Sequence, residues 1–338
     1  MSIQRNHTGL ANRAAFRLLV FALLLFSFAA AASAQEQAND IKVERVSFPV
    51  TLADGSPAEV AGYLYYKGSF HNRTLLLAVH GATYNHKYWD VPTINGHEYS
   101  FARYMAEQKY AVLAVDQLAA GESTRPEDGD SVTLDQTASA LHQVIARLRS
   151  GENACGYAFE RVVTVGHSLG AINVIYEQGT YHDADAIITT GAGHVPHPLP
   201  FPDAVIAEML QHEYFPFPAE MRGPAFYYAP GADPDVIAYD INSLADLLSR
   251  GQLTTAILTS FDTSASRVGQ VNGPVLVQMG EFDALFPTTY ADGEAAFYTS
   301  ASSVDVQALP GVGHDFNTHY RNHEGWKQMD AWLQSKGF

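Results

Sequence analysis

The sequence predicts an α/β domain built on a mainly parallel sheet. Three observations carry that expectation. Short, fully apolar runs alternate along the chain with segments of helical spacing, the pattern of strands covered on both faces by helices. One such run, Arg161-Val-Val-Thr-Val, passes through Gly166-His167-Ser168-Leu169-Gly170 into an apolar helical stretch with Ala171, Val174 and Ile175. The 338 residues are 47% hydrophobic and 17% charged, a composition that can close a substantial core.

The elements follow in order. Residues 1–34 read as a secretory signal peptide, set apart from the fold. Arg5, Arg13 and Arg17 form a basic start, Leu18 to Ala31 is apolar, and Ala32-Ser33-Ala34 is a small-residue cleavage site. The apolar run is short for a membrane span, so the expectation is a secreted or periplasmic protein with no stable membrane anchor after cleavage. Val43 to Val50 and Glu59 to Tyr66 alternate as strands joined at Asp54-Gly55-Ser56-Pro57. Thr74 to Val79 and Ala111 to Val115 are buried strands, with a helix over Tyr99 to Gln108 between them. Leu134, Ala138, Leu141, Ile145 and Leu148 lie on one helix face. Beyond the Ser168 region, Ala186 to Thr189, Val275 to Met279 and Val304 to Leu309 are strands. Trp326, Met329 and Leu333 share a face of the closing helix.

From Val195 to Gln252 the alternation stops. This block is rich in Pro, Phe and Tyr, with helical pieces at Asp203 to His212 and Asp233 to Ser249. Its place between two strands reads as a cap roofing a site at the strand ends. The domain division is therefore a leader over 1–34, a core over 35–194 and 253–338, and a cap over 195–252.

Charge and cysteine usage narrow the function. Losing Arg5, Arg13 and Arg17, and no acid, takes the formal charge from −16 to −19. A surface this acidic repels phosphate backbones and excludes nucleic acid as the expected partner. Cys155 is the only cysteine, so no intramolecular disulfide can form. No glycine-rich nucleotide fingerprint opens the first strand–helix unit, and no cofactor is expected. No metal site is expected either. His319 and His323 are spaced four apart, but Tyr320 replaces the Glu of a zinc-protease helix, so they read as a solvated pair. His182, Asp183 and Asp185 cluster before a strand without a further ligand in sight.

The chemistry concentrates on Ser168. A serine on a sharp strand-to-helix turn projects its hydroxyl from the fold, and the flanking glycines allow strand and helix to pass closely. The helix that follows aims its positive end at the same spot. Serine is a poor nucleophile at neutral pH and needs a base, which needs a carboxylate to orient it. In this topology the order is Ser, acid, His. Asp283, on the loop after Val275 to Met279, is the candidate acid, with Glu281 and Asp262 as alternatives. His314, between Gly313 and Asp315 after the last strand, is the candidate base, with His319 and His323 behind it. The oxyanion hole falls to the backbone N–H groups of Leu169 and of Ala82 in His80-Gly81-Ala82-Thr83-Tyr84, with assistance open to the Thr83 hydroxyl or Tyr84. His80 and His167 read as structural.

Taken together, His80-Gly81, the Asp116 to Ser123 turn, Gly166 to Gly170, Gly280 to Asp283 and Gly313-His314 resemble the α/β-hydrolase superfamily, in its branch with a short His-Gly oxyanion loop and a helical cap. The resemblance runs through nearly all of the chain after residue 34, although Asp116-Gln-Leu-Ala-Ala-Gly121-Glu-Ser123 departs slightly from the usual turn. It implies the α/β-hydrolase fold: a mostly parallel eight-stranded sheet flanked by helices, its second strand antiparallel, with a cap inserted. Ser168 separates the chain from dehalogenase and epoxide-hydrolase branches, which carry Asp at that position. The expected activity is cofactor-free hydrolysis of a carboxylic ester or lactone through an acyl-enzyme, on a small substrate with an apolar or aromatic group. Amide or C–C bond hydrolysis and acyl transfer are alternatives on the same fold, and a non-catalytic binding protein is a third.

Overall fold

The computed structural model describes residues 40–338. The expected signal peptide, residues 1–34, lies outside the described residues.

Eight strands form one sheet: β1 (Ile41–Thr51), β2 (Pro57–Lys67), β3 (Leu75–Val79), β4 (Ala111–Val115), β5 (Val162–His167), β6 (Ala186–Thr190), β7 (Pro274–Gly280) and β8 (Ser303–Leu309). Their order is β1-β2-β4-β3-β5-β6-β7-β8. β2 runs antiparallel to β4, while β4, β3, β5, β6, β7 and β8 are parallel. Every residue of β3, β4, β5 and β6 is buried, which is why these strands read as unbroken apolar runs.

Four principal helices cover the sheet. The first, α1 (Phe101–Glu107), starts where the Ser100 side chain accepts the Arg103 N–H. In α2 (Leu134–Ser150) the Thr133 side chain caps the start, and Gly151 closes the end at φ 79°. The third, α3 (Leu169–Tyr181), packs on β5 and β6 and against α2. The last, α4 (Asn322–Lys336), buries Trp326, Met329 and Leu333 as their spacing predicts.

Topology decides where a site can form. From β3 the chain crosses to β4 on one side, and β5 returns on the other side of β3. The loops leaving β3 and β5 therefore diverge at the same edge, opening a crevice at the carboxyl ends of the strands. Those loops carry His80 to Tyr84 and Ser168, and the loops after β7 and β8 carry Asp283 and His314 to the same edge.

Between β6 and β7 the chain makes a long excursion of short elements. Helices at Asp203–Met209, Ala219–Phe226 and Pro234–Tyr239 accompany an antiparallel pair, Tyr214–Pro216 with Leu247–Ser249, outside the main sheet. Two expectations need correction here. The helix expected over Asp233 to Ser249 runs as an α-helix to Tyr239 and a π-helical stretch over Asp240–Leu244, and stops there, because Leu247–Ser249 pairs instead with Tyr214–Pro216. The Ala219–Phe226 helix escapes a sequence reading because Gly223 and Pro224 lie inside it. A further pair, Val91–Ile94 with His97–Tyr99, turns through Asn95 (φ 50°) and Gly96 (φ 80°), and Tyr99 belongs to that strand rather than to α1.

Candidate active site

The turn between β5 and α3 is tight. Ser168 has φ 52° and ψ −118°, a conformation an L-residue holds only under constraint from its surroundings. A Cβ on Gly166 would strike the Gly170 carbonyl, and one on Gly170 would strike the carbonyl oxygens of Val79 and His80. Both glycines are thus demanded by contact between α3, β5 and the end of β3. No side chain caps the N-terminus of α3. Its first-turn N–H groups face the crevice as a partial positive charge suited to an anion.

His314 and Asp283 meet below this turn. Both are buried, and the His314 Nδ1–H donates to Asp283 Oδ2 at 2.9 Å and Oδ1 at 3.1 Å. Asp283 Oδ1 also accepts the backbone N–H groups of Leu285 (2.7 Å) and Phe286 (2.9 Å), which fix the carboxylate in place. Burial alone disfavours both charges, but each is the other's counter-ion. Their attraction and hydrogen bond hold the Asp283 carboxyl below its usual range and the His314 imidazole above its usual value. The other two carboxylates are engaged elsewhere. Glu281 is exposed and accepts the Gly311 N–H at 2.9 Å, and Asp262 is exposed and caps the Thr263–Ser266 turn.

The remaining histidines have other work. Backbone N–H groups of Gly313 (3.0 Å) and Tyr228 (3.1 Å) donate to His319 Nε2, and its Nδ1–H donates to the Asp315 carbonyl at 2.7 Å. Both ring nitrogens are thereby committed. His319 is fully buried and precedes α4, so the solvated helical pair with His323 does not exist. His323 packs against Tyr104 and Trp326 and does not line the crevice. The loop after β3 is braced by His80, whose Nε2 accepts the Gln117 N–H at 3.1 Å. His167 stacks on Tyr88 with ring centroids 4.6 Å apart, and its Nδ1 meets Thr190 Oγ1 at 3.0 Å.

Ser168, His314, Ala82 and Leu169 all line one cavity. Most of its remaining wall is apolar, and much of that comes from the excursion: Leu199, Phe201, Met209, Phe217, Phe226 and Leu248. The core adds Phe286 and Ile172.

The sequence reading missed the groups that hold the loop after β3. Thr83 sits at φ 60°, a costly setting for a β-branched residue. Its Oγ1 accepts from Arg222 Nη1 at 3.0 Å. Arg222, on the Ala219–Phe226 helix, is buried, forks onto Asp240 (2.6 and 3.2 Å), and lies 4.6 Å over the Tyr84 ring. Tyr84 in turn donates its hydroxyl proton to Asp315, beside His314. That bond removes Tyr84 as an oxyanion donor. One connected polar set therefore ties the excursion, the loop after β3 and the loop of His314 together. Nothing local in the sequence marks it, because its members lie 139 and 231 residues apart.

With His314 as the candidate base, the geometry predicts a pH dependence. A base must be neutral to take a proton, and Asp283 favours the charged form of His314. The acid limb of kcat/KM should therefore fall at a pH above the ordinary imidazole value of about 6.5. Activity rises as pH increases through that point. In Asp283→Asn the limb should move to lower pH while the rate drops, measured as log kcat/KM against pH. An unshifted limb would detach the titration from this pair.

Comparison with known proteins agrees with this architecture. The profile of the Alpha/beta hydrolase family matches residues 76–324. No curated protein sequence matches at a significant level. Among solved structures, a monoacylglycerol lipase from Paleococcus ferrophilus superposes with a TM-score of 0.60 at 15% identity, covering 88% of this chain and 100% of its own. An esterase from Exiguobacterium antarcticum gives 0.62 at 16% identity, covering 85% and 99%. A bromoperoxidase from Bacillus anthracis gives 0.59 at 19% identity, covering 85% and 99%. At such identities the likeness is one of fold, and it spans proteins with different named activities. On the match over most of its length, the chain belongs to the alpha/beta hydrolase family.

Proposed function

We propose that this chain is a secreted or periplasmic serine hydrolase of carboxylic esters or lactones. One observation carries the reading: Ser168, strained at the head of α3, shares a cavity with His314, whose far nitrogen is held by the buried Asp283. Ser168 Oγ attacks the substrate carbonyl carbon as His314 Nε2 takes its proton. Asp283 keeps the proton of the neutral imidazole on Nδ1 and stabilises the cation that forms. The tetrahedral oxyanion lies against the N–H groups of Leu169 and Ala82. Collapse breaks the bond to the alkoxy group, which leaves with the proton from His314. Water, deprotonated by His314, then attacks the acyl-enzyme and releases the acid, restoring Ser168. A lactone gives one product, its alcohol tethered to the acid.

The excursion over 195–252 acts as a cap in this scheme, and its Phe201, Phe217 and Phe226 set the substrate class. The leader over 1–34 supports export. Each methylene buried in an apolar wall contributes about 0.8 kcal/mol, roughly fourfold in kcat/KM when realised in the transition state. Across p-nitrophenyl esters from acetate to decanoate, kcat/KM should climb by up to that factor per carbon and level off once the cavity is full. A maximum at acetate would contradict an apolar acyl pocket. Hydrolysis of none of the esters or of a lactone panel would contradict the hydrolase reading itself.

A further inference from the structure

A second cluster of chemically capable side chains lies away from the cavity, between α2 and α3. His142 of α2, Glu177 near the end of α3, and Asp183 just beyond it bring one imidazole nitrogen and two carboxylates together, their ligand atoms all within 4.8 Å of one another. Glu177 is fully buried, and neither of its carboxylate oxygens has a hydrogen-bond partner among the described residues. Asp183 Oδ1 is likewise unpartnered, while its Oδ2 meets His142 Nδ1 at 2.6 Å. Of the two basic side chains in the last turn of α2, Arg147 donates to the Pro49 carbonyl at 2.9 Å, and Arg149 donates to the Asp183 carbonyl and the Asp185 carboxylate, both at 2.8 Å. Neither bonds the carboxylates of the cluster.

Glu177, fully buried and without a donor, faces a second carboxylate, and burial and Asp183 both disfavour its charge unless something positive lies between them. We propose that His142, Glu177 and Asp183 bind a divalent zinc ion. The imidazole selects against calcium and magnesium, which take oxygen ligands, and three protein ligands leave one position for water. Ligands bonded at ~2.1 Å stand about 3.4 Å apart on a tetrahedron, so binding opens the 2.6 Å contact of His142 with Asp183 by under about 1 Å. Side-chain exposures of 36% for His142 and 21% for Asp183 provide the way in. Tyr181, stacked on His142 at 4.0 Å, fixes the ring.

The ion's role is structural. Glu177 stands nine residues along α3 from Ser168, about 13 Å at 1.5 Å per residue, too far to touch a reacting group. It clamps the far end of the helix that carries Ser168 onto α2. His142 and Glu177 join Asp183 only through helix packing, so in the sequence only His182, Asp183 and Asp185 stand close together.

The test uses the mature chain after chelator treatment and dialysis. Zinc addition should restore about one tightly held equivalent per chain by elemental analysis. It should also raise the Tm by about 5 °C at a hundredfold excess over Kd, with calcium and magnesium giving little. Glu177→Gln, which removes the buried charge at equal size, should fold and lose the zinc response, as should the more exposed His142→Ala. Zinc that neither binds stoichiometrically nor moves the Tm of the wild type would overturn the proposal. So would an equal rise in Glu177→Gln.

Discussion

Ser168→Ala is expected to lower kcat by roughly 10⁴- to 10⁶-fold while leaving the fold and Tm in place. The serine side chain caps nothing, since no side-chain bond closes the start of α3, so its loss removes chemistry and little structure. Alanine also holds the backbone angle with no new atom in the crevice. The residual rate should come from the N–H groups of α3 and the cavity wall, which still bind and polarise a carbonyl. Because nucleophile, base and acid act as a unit in the proposed triad, adding His314→Ala to Ser168→Ala should lower the rate little further. A double variant another thousandfold slower than Ser168→Ala would show that His314 works through a different group. The comparison needs only kcat, KM and thermal melts of three proteins.

The second large effect is on stability. Arg222→Met should destabilise the chain by about 3–5 kcal/mol, a fall of about 10 °C in Tm, because it leaves the Asp240 carboxylate buried without its partner. Arg222→Met with Asp240→Leu should recover most of that loss, since an apolar pair of similar volume replaces the ions. Activity should not recover with it. Both variants lose the bond to Thr83, which holds a β-branched residue at φ 60° next to Ala82. Relaxation of that loop should move the Ala82 N–H off the oxyanion and lower kcat more than it raises KM. Full activity in the stable double variant would show that the loop keeps its shape unaided.

What the sequence disclosed follows from the range of the interactions involved. β3, β4, β5 and β6 were readable because a strand buried on both faces admits only apolar residues, and that leaves a local mark. Ser168 was readable because Gly166 and Gly170 are forced by contacts within a few residues and with the end of β3. Asp283 and His314 could be placed as the loops after β7 and β8, with the choice between Asp283 and Glu281 left to loop geometry. The Leu285 and Phe286 N–H groups turn Asp283 inward, while Glu281 caps Gly311.

The same argument explains what stayed hidden. Arg222 sits in a helix interrupted by Gly223 and Pro224, and its partners Thr83 and Asp240 come from distant segments. Leu247–Ser249 takes strand form only because Tyr214–Pro216 lies beside it, so its helical spacing was overruled by pairing. His319 looked like half of a surface pair until the loop after β8 folded over it. In each case the deciding partner is far away in sequence, and the local residues are compatible with either outcome.

The most direct test of the central claim is labelling with a fluorophosphonate, which forms a covalent bond only with an activated serine. The intact mass should rise by one adduct, and peptide mapping should place it on Ser168. Labelling should vanish in Ser168→Ala and slow by orders of magnitude in His314→Ala. A wild-type chain that stays unlabelled, or carries its adduct on another serine, would contradict the account.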